Sequence, residues 1–269
     1  MARFGSTPFS FPDFHGATRR LVLWNLATFF ALLLAQLALR DTALHLQFAF
    51  SLDPRAFLDG SIWQPFTYSL VHPTLLGTLF ELLSLWFLAG FLENFHSSTW
   101  VTGLYIVSVL GTAVAAVLLY WAGLAPAVNQ MLFGCVGGIF GLLVAIGVLY
   151  GDVQFMMFPL PIGIKARYLV AIYGLITVAM LFGQQRMYAF AQLGGALAGL
   201  LYIRMAPRRG IGLGLSEKWY GLRNRYYRWK RRRAARKFEV YMRSQGRTVR
   251  FDGQGRQIDE DQDDKKRWN

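Results

Sequence analysis

The sequence predicts an all-α, polytopic membrane protein: six membrane-crossing helices followed by a basic cytoplasmic C-terminal helix. Three observations predict it. Apolar runs near the length that crosses a bilayer as a helix, about 20 residues, recur along the chain. The net charge of +13 is unevenly placed, with most basic residues beyond Arg204. The composition also turns abruptly from apolar to charged after Pro207. Lipid offers backbone groups no hydrogen-bond partner, so helices are the economical form for such runs.

Residues 1–17 carry Phe4, Phe9, Phe11 and Phe14 among Gly, Ser and Pro without a period, and read as a flexible leader. The membrane domain is expected over 18–206, with spans at 21–39, 74–91, 100–121, 134–150, 168–182 and 188–203. The last three are short for a full crossing. The first span starts too far from Met1, is too long, and lacks a small-residue cleavage site, so a retained helix is expected there rather than a signal peptide. Between the first two spans, 41–73 holds Phe48, Phe50, Phe57, Trp63 and Phe66 and should lie partly in the bilayer interface. Arg19 and Arg20 precede the first span and Lys165 and Arg167 the fifth, while the loop between the third and fourth is uncharged. That asymmetry, with an even number of spans, puts both termini in the cytoplasm.

Residues 207–247 form a basic amphipathic helix, with Ser216 as a start signal and Gly246 at its end. Residues 248–269 are a charged flexible tail, within which 248–258 alternates around Asp252-Gly253 like a small hairpin. Arg225, Arg228, Lys230, Arg231, Arg232 and Arg233 interleave with Tyr226, Tyr227 and Trp229, which suits anionic lipid at the cytoplasmic leaflet. Nucleic acid ranks second as a partner, since no recognition motif accompanies the charge. The single cysteine, Cys135, excludes an internal disulfide and any zinc cluster and reads as a packing residue. No metal and no cofactor are expected.

Two apolar segments carry the functional reading. Gly134-Cys135-Val136-Gly137-Gly138-Ile139-Phe140-Gly141 opens one helix, and Ala191-Gln192-Leu193-Gly194-Gly195 lies in another. Trp63-Gln64-Pro65-Phe66-Thr67-Tyr68, His72, Leu82, the stretch 86–93, and Pro159-Leu160-Pro161-Ile162 followed by Lys165-Ala166-Arg167-Tyr168 come in the matching order. Together, over about 63–202, they resemble the rhomboid intramembrane serine proteases. The resemblance implies a six-helix core in which the G-x-S-G serine falls at Val136 and the A-H-x-x-G histidine at Gln192. Neither replacement can act as nucleophile or base. The family's H-x-x-x-x-H-x-x-x-N helix keeps only its first histidine, His72, whereas the two oxyanion donors fall at Gly77 and Glu81. Losing one such donor costs a hydrolase about 10²–10³ in rate.

The expected function is therefore that of a pseudoprotease, a rhomboid-like membrane protein that binds transmembrane clients without cleaving them. The alternatives are an atypical rhomboid-related intramembrane serine-type endopeptidase and a membrane tether working through its basic tail. The client site is expected at Glu81, Gly77, Val136, Gln192, Phe140 and His72. In that arrangement Glu81 meets Gln192 across the cavity, Phe140 stacks near Gln192, and His72 forms hydrogen bonds at the membrane surface. Gly137 and Gly141 pair with Gly195 and Gly199 as small-residue helix contacts. The expected setting is a bacterial inner (plasma) membrane.

Overall fold

The computed structural model describes residues 12–124, 131–157, 162–183, 185–205 and 211–246. The leader through residue 11, the Pro159–Pro161 part of the loop and the tail 248–269 with its expected hairpin lie outside the described residues.

Helix α1 spans Gly16–Ala38 and begins before the predicted position 21, because its start is set by a distant carboxylate and not by apolarity. His15 supplies no side-chain cap. Instead, the Ala17 N–H donates to Glu93 Oε1 at 2.7 Å and the Thr18 N–H to Oε2 at 3.0 Å. The Thr18 hydroxyl adds a third bond at 2.7 Å, so two orphan donors of the first turn are satisfied by an anion where the helix dipole favours one. Gly16 sits at φ +50°, and a side chain there would run into Glu93 and Ser98.

The interfacial segment folds into α2 (Arg40–Phe50), α3 (Pro54–Leu58), α4 (Gln64–Thr67) and a 3₁₀ turn at Tyr68–Leu70. Asp53 caps α3 by accepting from the Arg55 N–H at 3.0 Å. Trp63 Nε1 donates to the Ala49 carbonyl at 2.9 Å and Thr67 Oγ1 to the Phe50 carbonyl at 2.9 Å, which ties α4 to the end of α2. Gln64 is buried and accepts from the Asp53 N–H at 3.1 Å. Phe48, Phe50, Trp63 and Phe66 remain exposed.

Helix α5 (Leu75–Glu93) and helix α6 (Ser98–Trp121) follow, α6 capped by Ser97 Oγ accepting from the Trp100 N–H at 3.3 Å. Then come α7 (Val136–Leu149), α8 (Ala166–Met180) and α9 (Arg186–Met205). Among the described residues, three helices are long and apolar enough to cross a membrane: α1, α5 and α6. Three of the six expected crossings meet that length and composition, and α7 and α8 are shorter apolar helices. With 14 residues, α7 is about 21 Å long at 1.5 Å per residue, and α8 has 15. Helix α9 has 20 residues but spends its apolarity on Gly194, Gly195, Gly199, Gln192, Arg186 and Arg204.

The core lies where α6, α7 and α9 meet, around Leu104, Leu142, Ile146 and Tyr202. Backbones approach closely there. A Cβ on Gly199 would lie 2.8 Å from the Gly141 Cα, and one on Gly195 would lie 2.8 Å from the Gly137 carbonyl oxygen. Side chains at Gly137 and Gly141 would collide with Thr112 and Ser108 of α6.

A two-stranded antiparallel hairpin departs from the all-α expectation. Strand β1 (Gln154–Met157) pairs with β2 (Ile162–Lys165), Phe155 opposite Ile164. Phe155 seats its ring on Phe87 and Phe91 of α5 at 5.3 and 5.1 Å between centroids, and this aromatic anchor was not visible in a helical period. Asp152 pairs with Arg167 and, at 3.7 Å, with Lys165.

A second unit contains α10 (Ile211–Ser244), which starts ahead of Ser216 and ends before Gly246 at φ +73°. Tyr226 packs against Tyr227 and Trp229, and Arg233 lies 5.3 Å over the Trp229 ring. Arg225, Arg228, Lys230, Arg231 and Arg233 are exposed, whereas the side chain of Arg232 lies outside the described residues.

Candidate functional site

The first turn of α7 and the middle of α9 bring Val136 and Gln192 to one small cavity, shared with Tyr68, Thr112, Gly137, Tyr188 and Ala191. Its volume of about 10 Å³ admits a single water. Tyr68 donates its hydroxyl to the Val109 carbonyl at 2.8 Å, and Tyr188 donates to the Met131 carbonyl at 3.2 Å. The Gln192 side-chain oxygen accepts from Thr177 Oγ1 of α8 at 3.3 Å. Neither neighbour is a base or nucleophile of the family type.

Glu81 does not pair with Gln192. Its Oε2 accepts from the Cys135 backbone N–H at 2.9 Å and lies 3.4 Å from the Cys135 Sγ. The same oxygen is 3.3 Å from His72 Nε2, a contact outside hydrogen-bonding alignment. The other ring nitrogen, Nδ1, lies 3.2 Å from the Leu70 carbonyl, so that nitrogen carries the proton that the carbonyl accepts. Local folding builds the cluster. Gly134 at φ +84° turns the chain into α7, held by its N–H to the Tyr68 and Val71 carbonyls at 3.1 and 2.9 Å. A Cβ at Gly134 would lie 2.6 Å from Glu81 Oε2, so the carboxylate occupies the space that the glycine leaves.

The Phe140 ring makes a T-shaped contact with Tyr173 of α8, 6.5 Å between centroids. A Cβ on Gly77 would lie 2.6 Å from Oγ1 of Thr74, the residue before α5, and Gly77 does not line the Val136–Gln192 cavity. His72 is buried within the protein, with its Nδ1 bonded to the Leu70 carbonyl. The larger cavity, about 510 Å³, lies between α1 and α5 and is walled by Val22, Leu26, Phe29, Leu79, Leu82 and Trp86, among others.

A family described as "Eukaryotic integral membrane protein (DUF1751)" matches residues 22–212. The chain belongs to that family. As a DUF1751 member it is an integral membrane protein, and the family's eukaryotic description overturns the bacterial inner membrane expected from the sequence. The positive-inside charge asymmetry sets the orientation of a membrane protein and carries no kingdom information. No curated protein matches the chain.

Sequence reasoning missed two features of this DUF1751 chain. One is the joining of Cys135, Glu81 and His72, whose sulfur, oxygen and nitrogen atoms all lie within 4.8 Å of one another. The sequence alone assigns Glu81 to the client site and Cys135 to packing. The turn at Gly134 brings them together, and no helical period announces it. The other is the Glu93 clamp, which joins residues 75 and 76 positions apart.

Proposed function

We propose that the chain is a rhomboid-like pseudoprotease that holds transmembrane segments of other membrane proteins without cutting them. The observation that carries this reading is the shared cavity of Val136 and Gln192, where the resemblance would put a nucleophile beside its base. A valine methyl and an amide leave that cavity without a group that can attack a carbonyl or accept the nucleophile's proton. Helix α8 supports client entry on this side. Only Ala166 and Thr177 of its 15 residues are buried, and Thr177 is the residue that meets Gln192. A client helix displacing or flanking α8 would meet the Gln192 amide, an uncharged donor and acceptor suited to a polar group in an otherwise apolar segment.

An enzymatic reading would rest on Cys135, with His72 as base. The carboxylate of Glu81 contacts both groups, and beside the thiol its charge opposes the thiolate a nucleophile requires. Binding is therefore favoured over cleavage. The purified chain should leave generic transmembrane substrates uncut and should not label with fluorophosphonates. A photo-crosslinking side chain at Tyr173 or Ile176 of α8 should capture intact membrane proteins. Cleavage that disappears on Cys135→Ala or Glu81→Gln would overturn the reading, and so would crosslinks no more abundant than those from the same probe on α10.

A further inference from the structure

The geometry points to a divalent-metal site, best suited to zinc, formed by His72 Nε2, Glu81 and Cys135 Sγ. Three separate segments supply the ligands: the turn before α5, the body of α5, and the residue capping α7. Ligands of a tetrahedral zinc at ordinary bond lengths sit about 3.3–3.7 Å from one another. Here the nitrogen–oxygen separation is 3.3 Å and the sulfur–oxygen separation 3.4 Å, with the third pair inside 4.8 Å. The spacing that is awkward for a hydrogen bond is that of atoms sharing an ion.

The imidazole is the independent witness. His72 is 2 % exposed, and among the described residues its Nε2 has no hydrogen-bond partner although it faces the cluster. An unsatisfied buried nitrogen is costly. Its partner nitrogen, Nδ1, donates to the Leu70 carbonyl, the arrangement that fixes a metal-binding tautomer and leaves the Nε2 lone pair free. That carbonyl also accepts from Thr28 Oγ1 of α1 at 3.0 Å, so the orientation is braced from a second helix. Glu81 is braced by the Cys135 N–H.

Charge selects the ion. A thiolate, a carboxylate and a neutral imidazole carry two negative charges, which one divalent cation cancels, as burial among apolar helices demands. The mixed sulfur, nitrogen and oxygen set suits zinc better than magnesium or calcium, which prefer oxygen alone. Binding requires the Cys135 thiol to lose its proton to solvent. A path exists, since the Glu81 side chain is 23 % exposed. Three protein ligands leave one tetrahedral position for a water. The single cysteine, which by sequence excludes any zinc cluster, thus serves in a mixed site with His72 and Glu81.

The test uses the full chain purified in detergent, stripped with chelator and titrated with zinc or cobalt alone. Wild type should retain about one zinc per chain after desalting, as a single three-ligand site predicts. Cobalt should produce a thiolate-to-metal charge-transfer band in the near ultraviolet, and zinc should raise the melting temperature. Cys135→Ser, close to isosteric, should abolish the charge-transfer band, and His72→Gln should weaken zinc binding by at least about tenfold. Wild type that binds no more zinc than Cys135→Ser and shows no charge-transfer band would overturn the site, whether or not the variants fold. Crosslinking of clients on α8 is read separately, so loss of the metal site leaves the client proposal standing or falling on its own.

Discussion

At Gln192 the side-chain oxygen accepts from Thr177 of α8, and Val136 faces a space of one water. Restoring Val136→Ser with Gln192→His therefore should not restore the rates of an ordinary rhomboid protease. The oxyanion positions are Gly77, which points to Thr74, and Glu81, whose charge repels a developing oxyanion. A cleavage assay on the double variant checks this, and rates in the ordinary range would show that donors come from elsewhere. His96, between α5 and α6, supplies a pH signature. Its ring stacks on Trp100 at 3.9 Å, and its Nε2 is 3.1 Å from the Tyr150 hydroxyl, the titratable group in contact with it. Burial holds the imidazole below its ordinary value of 6.5. The unfolded chain then binds a proton more readily than the folded one, so this contribution is complete above about pH 6.5 and is lost as pH falls through the lower folded value. Melting temperature against pH should drop less steeply on the acid side for His96→Gln than for wild type. Matching profiles would remove His96 as the source.

At the scale of elements, the α6–α7–α9 junction depends on absent side chains. Gly199→Ala should destabilise by about 1–3 kcal/mol through overpacking against Gly141, and Gly199→Leu by more. Gly174 on α8, with open space around it, should tolerate alanine. Thermal unfolding in detergent distinguishes the two positions, and equal tolerance would show that the junction is looser than its distances imply. The helices themselves were legible because apolar runs announce themselves by length. Their length as crossings was legible for α1, α5 and α6, whereas α7 is short and packed among other helices and α9 trades hydropathy for close approach. The hairpin at Gln154–Lys165 was illegible because a four-residue strand anchored by one ring, Phe155, leaves no period. Val136 and Gln192 were legible as neighbours through the motif spacing. The meeting of Glu81 with Cys135 was not, because it depends on one left-handed glycine, Gly134.

Across the whole molecule, charge is gathered in α10, where Arg225, Arg228, Lys230, Arg231 and Arg233 flank Tyr226, Tyr227 and Trp229. A peptide of Ile211–Ser244 should bind vesicles containing anionic lipid, gaining about 1 kcal/mol per basic residue near the surface. It should bind neutral vesicles poorly and release as salt rises, because screening acts over about 8–10 Å. Equal binding to both vesicle types would defeat the electrostatic account, and tighter binding to RNA at matched salt would favour nucleic acid. The Glu93 carboxylate bears on how such a chain is made. It gathers the start of α1, the end of α5 and, through the Ser98 hydroxyl, the start of α6 into one knot. During synthesis Ala17 and Thr18 of α1 are made 76 and 75 residues ahead of Glu93, so the first turn has no carboxylate to cap it until the end of α5 follows. Until the knot closes, α1 is free to slide in depth or tilt. Its final register in the bilayer is thus inherited from a residue made later, and the first two long helices are fastened together only when the third begins.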